Sequence, residues 1–155
     1  MSAHIGFEVN PHKDYQRLQV VTLSKDLVEK FDELTSQYDV QSIEYKPFLR
    51  FFIAKCLSDL TQNTLSDYLT STLKNRSTGA ILMQCIDPEG ISKSHDTFID
   101  LNIRISTAIS HLIGLPNLDS MSGKFYARFS VKNEDNSDSY LRQAHRRMEL
   151  HNDGT

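Results

Sequence analysis

Cysteine is scarce and long apolar runs are missing from this sequence of 155 residues. The two cysteines, Cys56 and Cys85, form no Cys-x-x-Cys pair, which favours reduced, buried side chains over a disulfide or metal ligands. No apolar stretch of about 18 residues could span a membrane, and Met1–Asp14 lacks the apolar run of a signal peptide. We therefore expect a cytoplasmic protein without a membrane partner.

Excess positive charge is also missing, since the formal net charge is −3. This balance gives no general affinity for nucleic acids or acidic membranes. Hydrophobic residues make up 39% of the chain and charged residues 24%, which is typical of a globular protein. There is no internal repeat or low-complexity segment, and the length fits a single domain over residues 1–155.

Apolar periodicity predicts mixed helices and strands after a lead-in, residues 1–16, that we expect to be poorly ordered. In chain order the predicted elements are a strand over Arg17–Leu23, a helix over Lys25–Tyr38 capped by Ser24, a helix from Pro47 to Leu60, a helix capped by Thr64 and running to Leu73, a buried strand over Gly79–Ile86, and a helix from Ser94 to about Ile113 that ends at Gly114. The helix after Pro47 is apolar around much of its circumference, which predicts burial between other layers.

β-structure is predicted to dominate the rest of the chain. Phe125–Val131 alternates strictly between apolar and polar residues, which is typical of a strand with one buried face. A polar loop, Asn133–Ser139, and a terminal strand follow. The predicted fold class is α+β, with helices and strands that lead into a β-rich region.

The terminal strand carries a His-x-Asp arrangement, His151 and Asp153. Side chains two apart in a strand project to the same side, so Arg147, Glu149, His151 and Asp153 share a face. An imidazole and a carboxylate placed in this way can occupy two adjacent positions of a metal, and a further His would complete the facial triad of non-haem iron oxygenases. His-x-Asp also arises by chance, and for the motif taken alone a polar strand that ends in an Asp-Gly turn is the leading interpretation.

A local basic cluster precedes this strand. It consists of Arg142, His145, Arg146 and Arg147. Surface exposure without a special role is the leading interpretation, followed by contact with an acidic partner or a dicarboxylate. Nucleic-acid binding is disfavoured because the chain is acidic and no aromatic stacking platform accompanies the cluster.

Several longer stretches of the sequence resemble a known family. They are Ile43–Phe51 (IEYKPFLRF), His111–Gly114 (HLIG), Met121–Phe129 (MSGKFYARF) with Val131–Asn133, Asp135–Gln143, and Met148–Thr155 (MELHNDGT). These stretches resemble the glutarate 2-hydroxylase family, the carbon-starvation-induced Fe(II)/2-oxoglutarate-dependent dioxygenases of lysine and glutarate catabolism. The likeness begins near residue 18 and is densest toward the end of the sequence.

The resemblance implies a double-stranded β-helix, or jelly roll, with flanking helices, which would begin near residue 121 and be incomplete here. It implies Fe(II) as the metal, with His151 and Asp153 as the first two ligands, and 2-oxoglutarate as the cosubstrate. The expected reaction hydroxylates glutarate to (S)-2-hydroxyglutarate with release of succinate and CO2. Glu149 is a candidate for contact with a metal ligand.

The family's third ligand, a downstream His, and its 2-oxoglutarate-binding Arg have no counterpart in these residues. We therefore expect an N-terminal portion of a longer chain or a truncated product, inactive and prone to aggregate by itself. The full-length protein is expected to be a homo-oligomer. Two alternatives stay open: a related oxygenase acting on another small acid, and a non-catalytic interaction module.

Overall fold

The computed structural model describes residues 2–85, 95–118 and 123–126, where a four-stranded sheet packs against helices. The elements are β1 (Ser2–His4), β2 (Phe7–Pro11), β3 (Leu18–Leu23), α1 (Lys25–Thr35), α2 (Val40–Tyr45), α3 (Pro47–Leu60), α4 (Thr64–Lys74), β4 (Ala80–Cys85) and α5 (His95–Ile113). This mixture confirms the α+β class. None of the helices described is long and apolar enough to cross a membrane.

The chain begins with a hairpin where the sequence predicted poor order, so that prediction is corrected for β1 and β2. The strands are antiparallel, with His4 opposite Phe7, and Ile5 and Gly6 form the two-residue turn between them. Gly6 has φ +80°, a conformation that glycine adopts without strain. Phe7 is 1% exposed and Val9 is 6% exposed, so β2 packs into the core. Its alternating pattern is too short to predict this burial.

The sheet has the order β1-β2-β3-β4, with antiparallel pairs except for the parallel pair β3–β4. Helices α1 to α4 form the connection between these two parallel strands. Phe7 is opposite Leu23 and Val9 is opposite Val21, and all four side chains are buried on one face. The period-2 alternation of the strands therefore directs one face of the sheet into the core.

Strand β4 confirms the position predicted by Gly79–Ile86 but not the predicted burial. Ile81 and Met83 are half-buried against the core, whereas Leu82 between them is 39% exposed. The run is continuously apolar in sequence, yet alternate side chains of a strand point to opposite faces. Within the described residues, only one face of β4 is covered.

Helix starts follow local chemistry that is visible in the sequence. The Ser24 side chain accepts a hydrogen bond from the backbone N–H of Leu27 at 3.2 Å, which caps α1 as predicted. Pro47 begins α3, where its missing N–H costs nothing. Thr64 does not cap α4, because Asn63 occupies the cap position with φ 64° and the Thr64 hydroxyl donates to the Thr61 carbonyl instead.

The core is formed by the buried face of the sheet and by residues of helices α1 to α5, including Ile43 on α2 and Leu65 and Leu69 on α4. Its buried helical residues recur at helical spacing: Leu27, Val28 and Phe31 on α1, Leu49, Ile53 and Leu57 on α3, and Leu101, Ile105 and Ala108 on α5. The prediction that α3 is buried between layers is wrong for one side of it. Phe48, Phe51 and Phe52 are 66%, 53% and 41% exposed.

The predicted jelly roll and the strand Phe125–Val131 lie largely outside the described residues. Phe125 and Tyr126, which are described, do not belong to a strand.

Candidate functional site

The site begins at a sharp junction between two helices. Asp39 caps α2 by accepting a hydrogen bond from the backbone N–H of Ser42 at 2.6 Å. Hydrogen bonding from Ser42 lowers the pKa of the Asp39 carboxyl. Ile43 is fully buried and fixes α2 against the core. Because Pro47 starts α3 two residues after α2 ends, Glu44 is held close to the first turn of the next helix.

Arg50 on α3 closes the end of α2. Its Nε donates to the Ile43 carbonyl at 3.0 Å, and one terminal nitrogen donates to the Glu44 carbonyl at 2.6 Å. These carbonyls lie at the end of α2, where no helical N–H can reach them. The same guanidinium lies over the ring of Phe125, with its carbon 4.5 Å from the ring centroid, which is a favourable cation–π distance.

The Glu44 carboxylate receives two donors from the segment 123–126. The Tyr126 hydroxyl donates to Oε1 at 2.5 Å, and Lys124 Nζ lies 3.2 Å from the same oxygen. The Tyr126 hydrogen bond, followed by Lys124 and Arg50, holds the pKa of Glu44 below its ordinary value, although burial acts in the opposite direction. Glu44 is therefore an anion at neutral pH.

Aromatic rings extend this contact to α5. His111 meets Phe51 edge-on, with centroids 5.3 Å apart, and meets Phe125 edge-on at 6.5 Å. His111 Nδ1 lies 2.9 Å from the Thr107 carbonyl, which can only accept, so Nδ1 carries a proton. His111 thus has a packing role.

We call this group the Glu44 cluster. Its members are Glu44, Arg50, Phe51, His111, Lys124, Phe125 and Tyr126. They come from three of the stretches that carry the family resemblance, Ile43–Phe51, His111–Gly114 and Met121–Phe129. Far apart in sequence, these stretches meet at one place in the fold. Sequence reasoning missed the cluster as a site, although the matched stretches contained the signal.

The predicted metal ligands His151 and Asp153 lie outside the described residues, as do Glu149 and the basic cluster Arg142, His145, Arg146 and Arg147. Across residues 2–85, 95–118 and 123–126, no three His, Cys, Asp or Glu side chains gather in a way that could hold a metal ion. Cys56 is a free, half-buried thiol whose pKa is raised by burial, which disfavours a reactive thiolate. The Cys85 side chain is not among those described.

A second charged contact lies inside the helical layer. Arg104 on α5 is 5% exposed and donates to the Asp32 carboxylate on α1 and, at 3.4 Å, to the Thr35 carbonyl. Burial lowers the pKa of Arg104, while Asp32 and Asp100 oppose this. Its Nε has no hydrogen-bond partner among the described residues, so the contact fixes two helices and leaves one donor unpaired.

Comparisons with known proteins agree on one family. The CsiD family model matches residues 7–155. The chain is 47% identical over 150 residues to a glutarate 2-hydroxylase of Pseudomonas putida strain F1. The aligned region covers 97% of this chain and 45% of the relative. It is 47% identical over 152 residues to a glutarate 2-hydroxylase of Salmonella typhimurium strain LT2, covering 98% of this chain and 45% of the relative. The chain thus spans somewhat less than half the length of these curated relatives.

Proposed function

Because this chain belongs to the CsiD family, we propose that it is the N-terminal part of a glutarate 2-hydroxylase that uses Fe(II) and 2-oxoglutarate. The proposal is supported by the extent of the similarity. The identity of 47% extends over nearly the whole chain, and the family model matches through residue 155, a range that includes His151 and Asp153. In the proposed reaction 2-oxoglutarate loses CO2 and takes up one atom of O2 to give succinate, and the other oxygen atom enters the C–H bond of glutarate at C2.

His151 and Asp153 are the proposed iron ligands in this chain. A neutral imidazole and a carboxylate are the donor types of the non-haem iron facial triad, so the two residues fit the metal chemically. When bound, the iron supplies the oxygen activation that no side chain can provide. The remaining ligand and the 2-oxoglutarate-binding Arg are proposed to come from the part of the family chain outside the matched region.

The Glu44 cluster has an anchoring role in this proposal. Lys124 and Tyr126 are held to α2 by an ion pair and a hydrogen bond to Glu44, and Phe125 contacts Arg50 on α3 and His111 on α5. These residues precede the proposed ligands along the chain. An anchored segment at this point limits where the following residues can travel, and a metal site needs ligands with restricted positions.

The decisive experiment uses the longest chain that the reading frame encodes. With Fe(II), 2-oxoglutarate and oxygen, succinate release is measured with and without glutarate. His151→Ala and Asp153→Ala are compared with His12→Ala and Asp14→Ala, which remove the same residue types at positions far from the proposed ligands in sequence. We expect glutarate-dependent succinate that both ligand variants abolish and both controls retain.

Two other outcomes would change the proposal. Succinate formed equally without glutarate would keep the oxygenase and point to another small acid as substrate. No turnover from a folded, iron-supplied, full-length chain would favour a non-catalytic interaction module. Iron binding, followed by the ultraviolet–visible absorption of the Fe(II)–2-oxoglutarate complex, separates loss of metal from loss of chemistry.

A further inference from the structure

One side of α3 presents large aromatic side chains to solvent. Phe48, Phe51 and Phe52 lie three and four residues apart, so they share a helical face, and Tyr45 at the end of α2 is 75% exposed beside them in sequence. We call these four residues the aromatic face. The opposite side of the same helix carries Leu49, Ile53 and Leu57, each 5% exposed or less.

The aromatic face has defined borders. One turn further along α3, Lys55 and Asp59 form an exposed ion pair at 2.8 Å, which marks the return to an ordinary solvated surface. At one side Tyr38 packs edge-on against Phe52, with centroids 5.4 Å apart. Contiguous exposed apolar surface with a polar border is typical of an interaction site rather than of scattered surface residues.

The aromatic face is continuous with the Glu44 cluster, because Phe51 belongs to both. Phe51 contacts His111, and His111 contacts Phe125, so the exposed rings adjoin the place where the segment 123–126 is held. Whatever covers the aromatic face therefore lies next to the segment 123–126.

We propose that the aromatic face is the packing surface for the part of the family chain that lies outside the matched region. More than half of each relative lies there, since the matched region covers 45% of it. In each relative, the portion outside the matched region belongs to the same polypeptide as the matched region. Its effective concentration at the aromatic face is therefore higher than that of a free partner. This inference rests on family membership and not on the proposed reaction, so each can fail without the other.

Hydroxyl-radical footprinting tests the inference without altering the face. This chain is joined in frame to the remaining sequence of the Pseudomonas putida relative, and oxidation rates are read by mass spectrometry in the fusion and in the 155-residue chain. Oxidation of Phe48, Phe51 and Phe52 is expected to fall roughly fivefold or more in the fusion, as for aromatic side chains that become buried. Tyr15 and Leu34, exposed elsewhere by 65% and 46%, are expected to keep their rates.

Unchanged oxidation of the three phenylalanines in a monodisperse fusion would overturn the proposal. Protection in the 155-residue chain alone that grows with protein concentration would also overturn it, because a second copy would then be the occupant.

A second measurement uses variants of the same fusion. Phe48→Ser combined with Phe52→Ser is expected to return the oxidation rate of Phe51 to its value in the 155-residue chain, since two aromatic contacts at the interface are lost. Leu34→Ser is the matched control on α1 and is expected to leave Phe51 protected. Continued protection of Phe51 in the double variant would contradict the proposal.

Discussion

Asp32 and Glu44 each pair with a cation from a distant part of the sequence, and the two contacts have different roles. Asp32 pairs with Arg104, whose side chain is 6% exposed, and the pair joins α1 to α5. Glu44 pairs with Lys124, whose side chain is 48% exposed, and the contact attaches a non-helical segment to the helices. The first contact is part of the folded core, while the second can open without unfolding it. We therefore expect loss of the buried Arg104 pair to lower the free energy of unfolding more than loss of the exposed Lys124 pair.

The largest expected effect comes from Asp32→Ala, which removes the paired carboxylate of buried Arg104 and leaves Asp100 as its nearby counter-charge. Breaking a buried pair from one side costs about 3–5 kcal/mol, and the partial exposure of Asp32 places the value near about 3 kcal/mol. Urea unfolding followed by circular dichroism measures this loss in the free energy of unfolding. Asp26→Ala, on the same helix in an exposed pair with Lys30, is the control and should cost about 0.5 kcal/mol or less.

Glu44→Gln should loosen the contact of Lys124 and Tyr126 with α2, with a smaller effect on stability. The amide still accepts a hydrogen bond from Tyr126 but loses its charge, which weakens the attachment by about 1–2 kcal/mol. NMR of labelled tyrosine rings, assigned with Tyr126→Phe, reports the loosening, while the urea midpoint stays near its original value. The control is Glu29→Gln, from the exposed pair with Lys25. A collapse of global stability would contradict the distinction between the two carboxylates.

Arg50→Lys separates shape from charge within the Glu44 cluster. Lysine keeps the positive charge but cannot donate to both the Ile43 and Glu44 carbonyls while lying flat on Phe125. We expect the Phe125 ring contact to weaken by about 1 kcal/mol, read as loss of the ring-current shift on the residue 50 side chain. Lys55→Arg, an exposed change on the same helix, should leave these signals unchanged.

Acid should loosen the Glu44 cluster gradually. The folded pKa of Glu44 lies below its ordinary value of 4.5, so its contribution is fully present above that value and is lost as the pH falls through the folded pKa. The Tyr126 ring signals are therefore expected to move toward those of Glu44→Gln below about pH 4.5, and the variant itself should show no such transition. Movement only above pH 6 would assign the transition to another group.

Local signals in the sequence predicted most of the described fold. Ser24 and Pro47 mark helix starts because capping and proline chemistry act over a few residues. The prediction missed α2, whose six residues are too few for a periodic pattern and whose cap, Asp39, is its main signal. It also missed the hairpin at the N-terminus, since a two-residue turn at Gly6 and two buried side chains leave little trace.

The candidate site was harder to predict because its parts are distant in sequence. Glu44 and Tyr126 are brought together by the packing of α2, α3 and α5, which no local pattern encodes. Family resemblance identified the stretches that meet, but not the contacts between them. For α3 the local pattern was misleading. Apolar residues around much of the helix predicted burial on all sides, while the described structure covers only one side.

The parallel pairing of β3 with β4 has a consequence for synthesis on the ribosome. Leu18 is opposite Ala80, whereas β1, β2 and β3 are paired through short turns. At about 5–20 residues per second, β4 is made roughly 3–12 seconds after β3. During that interval a meander of β1 to β3 would have two unpaired edges, and Leu18–Leu23 is the one that β4 later occupies. Nascent α1 to α4 must therefore collapse against a sheet that is still unfinished, and the last strand closes an edge that would otherwise recruit a neighbouring chain.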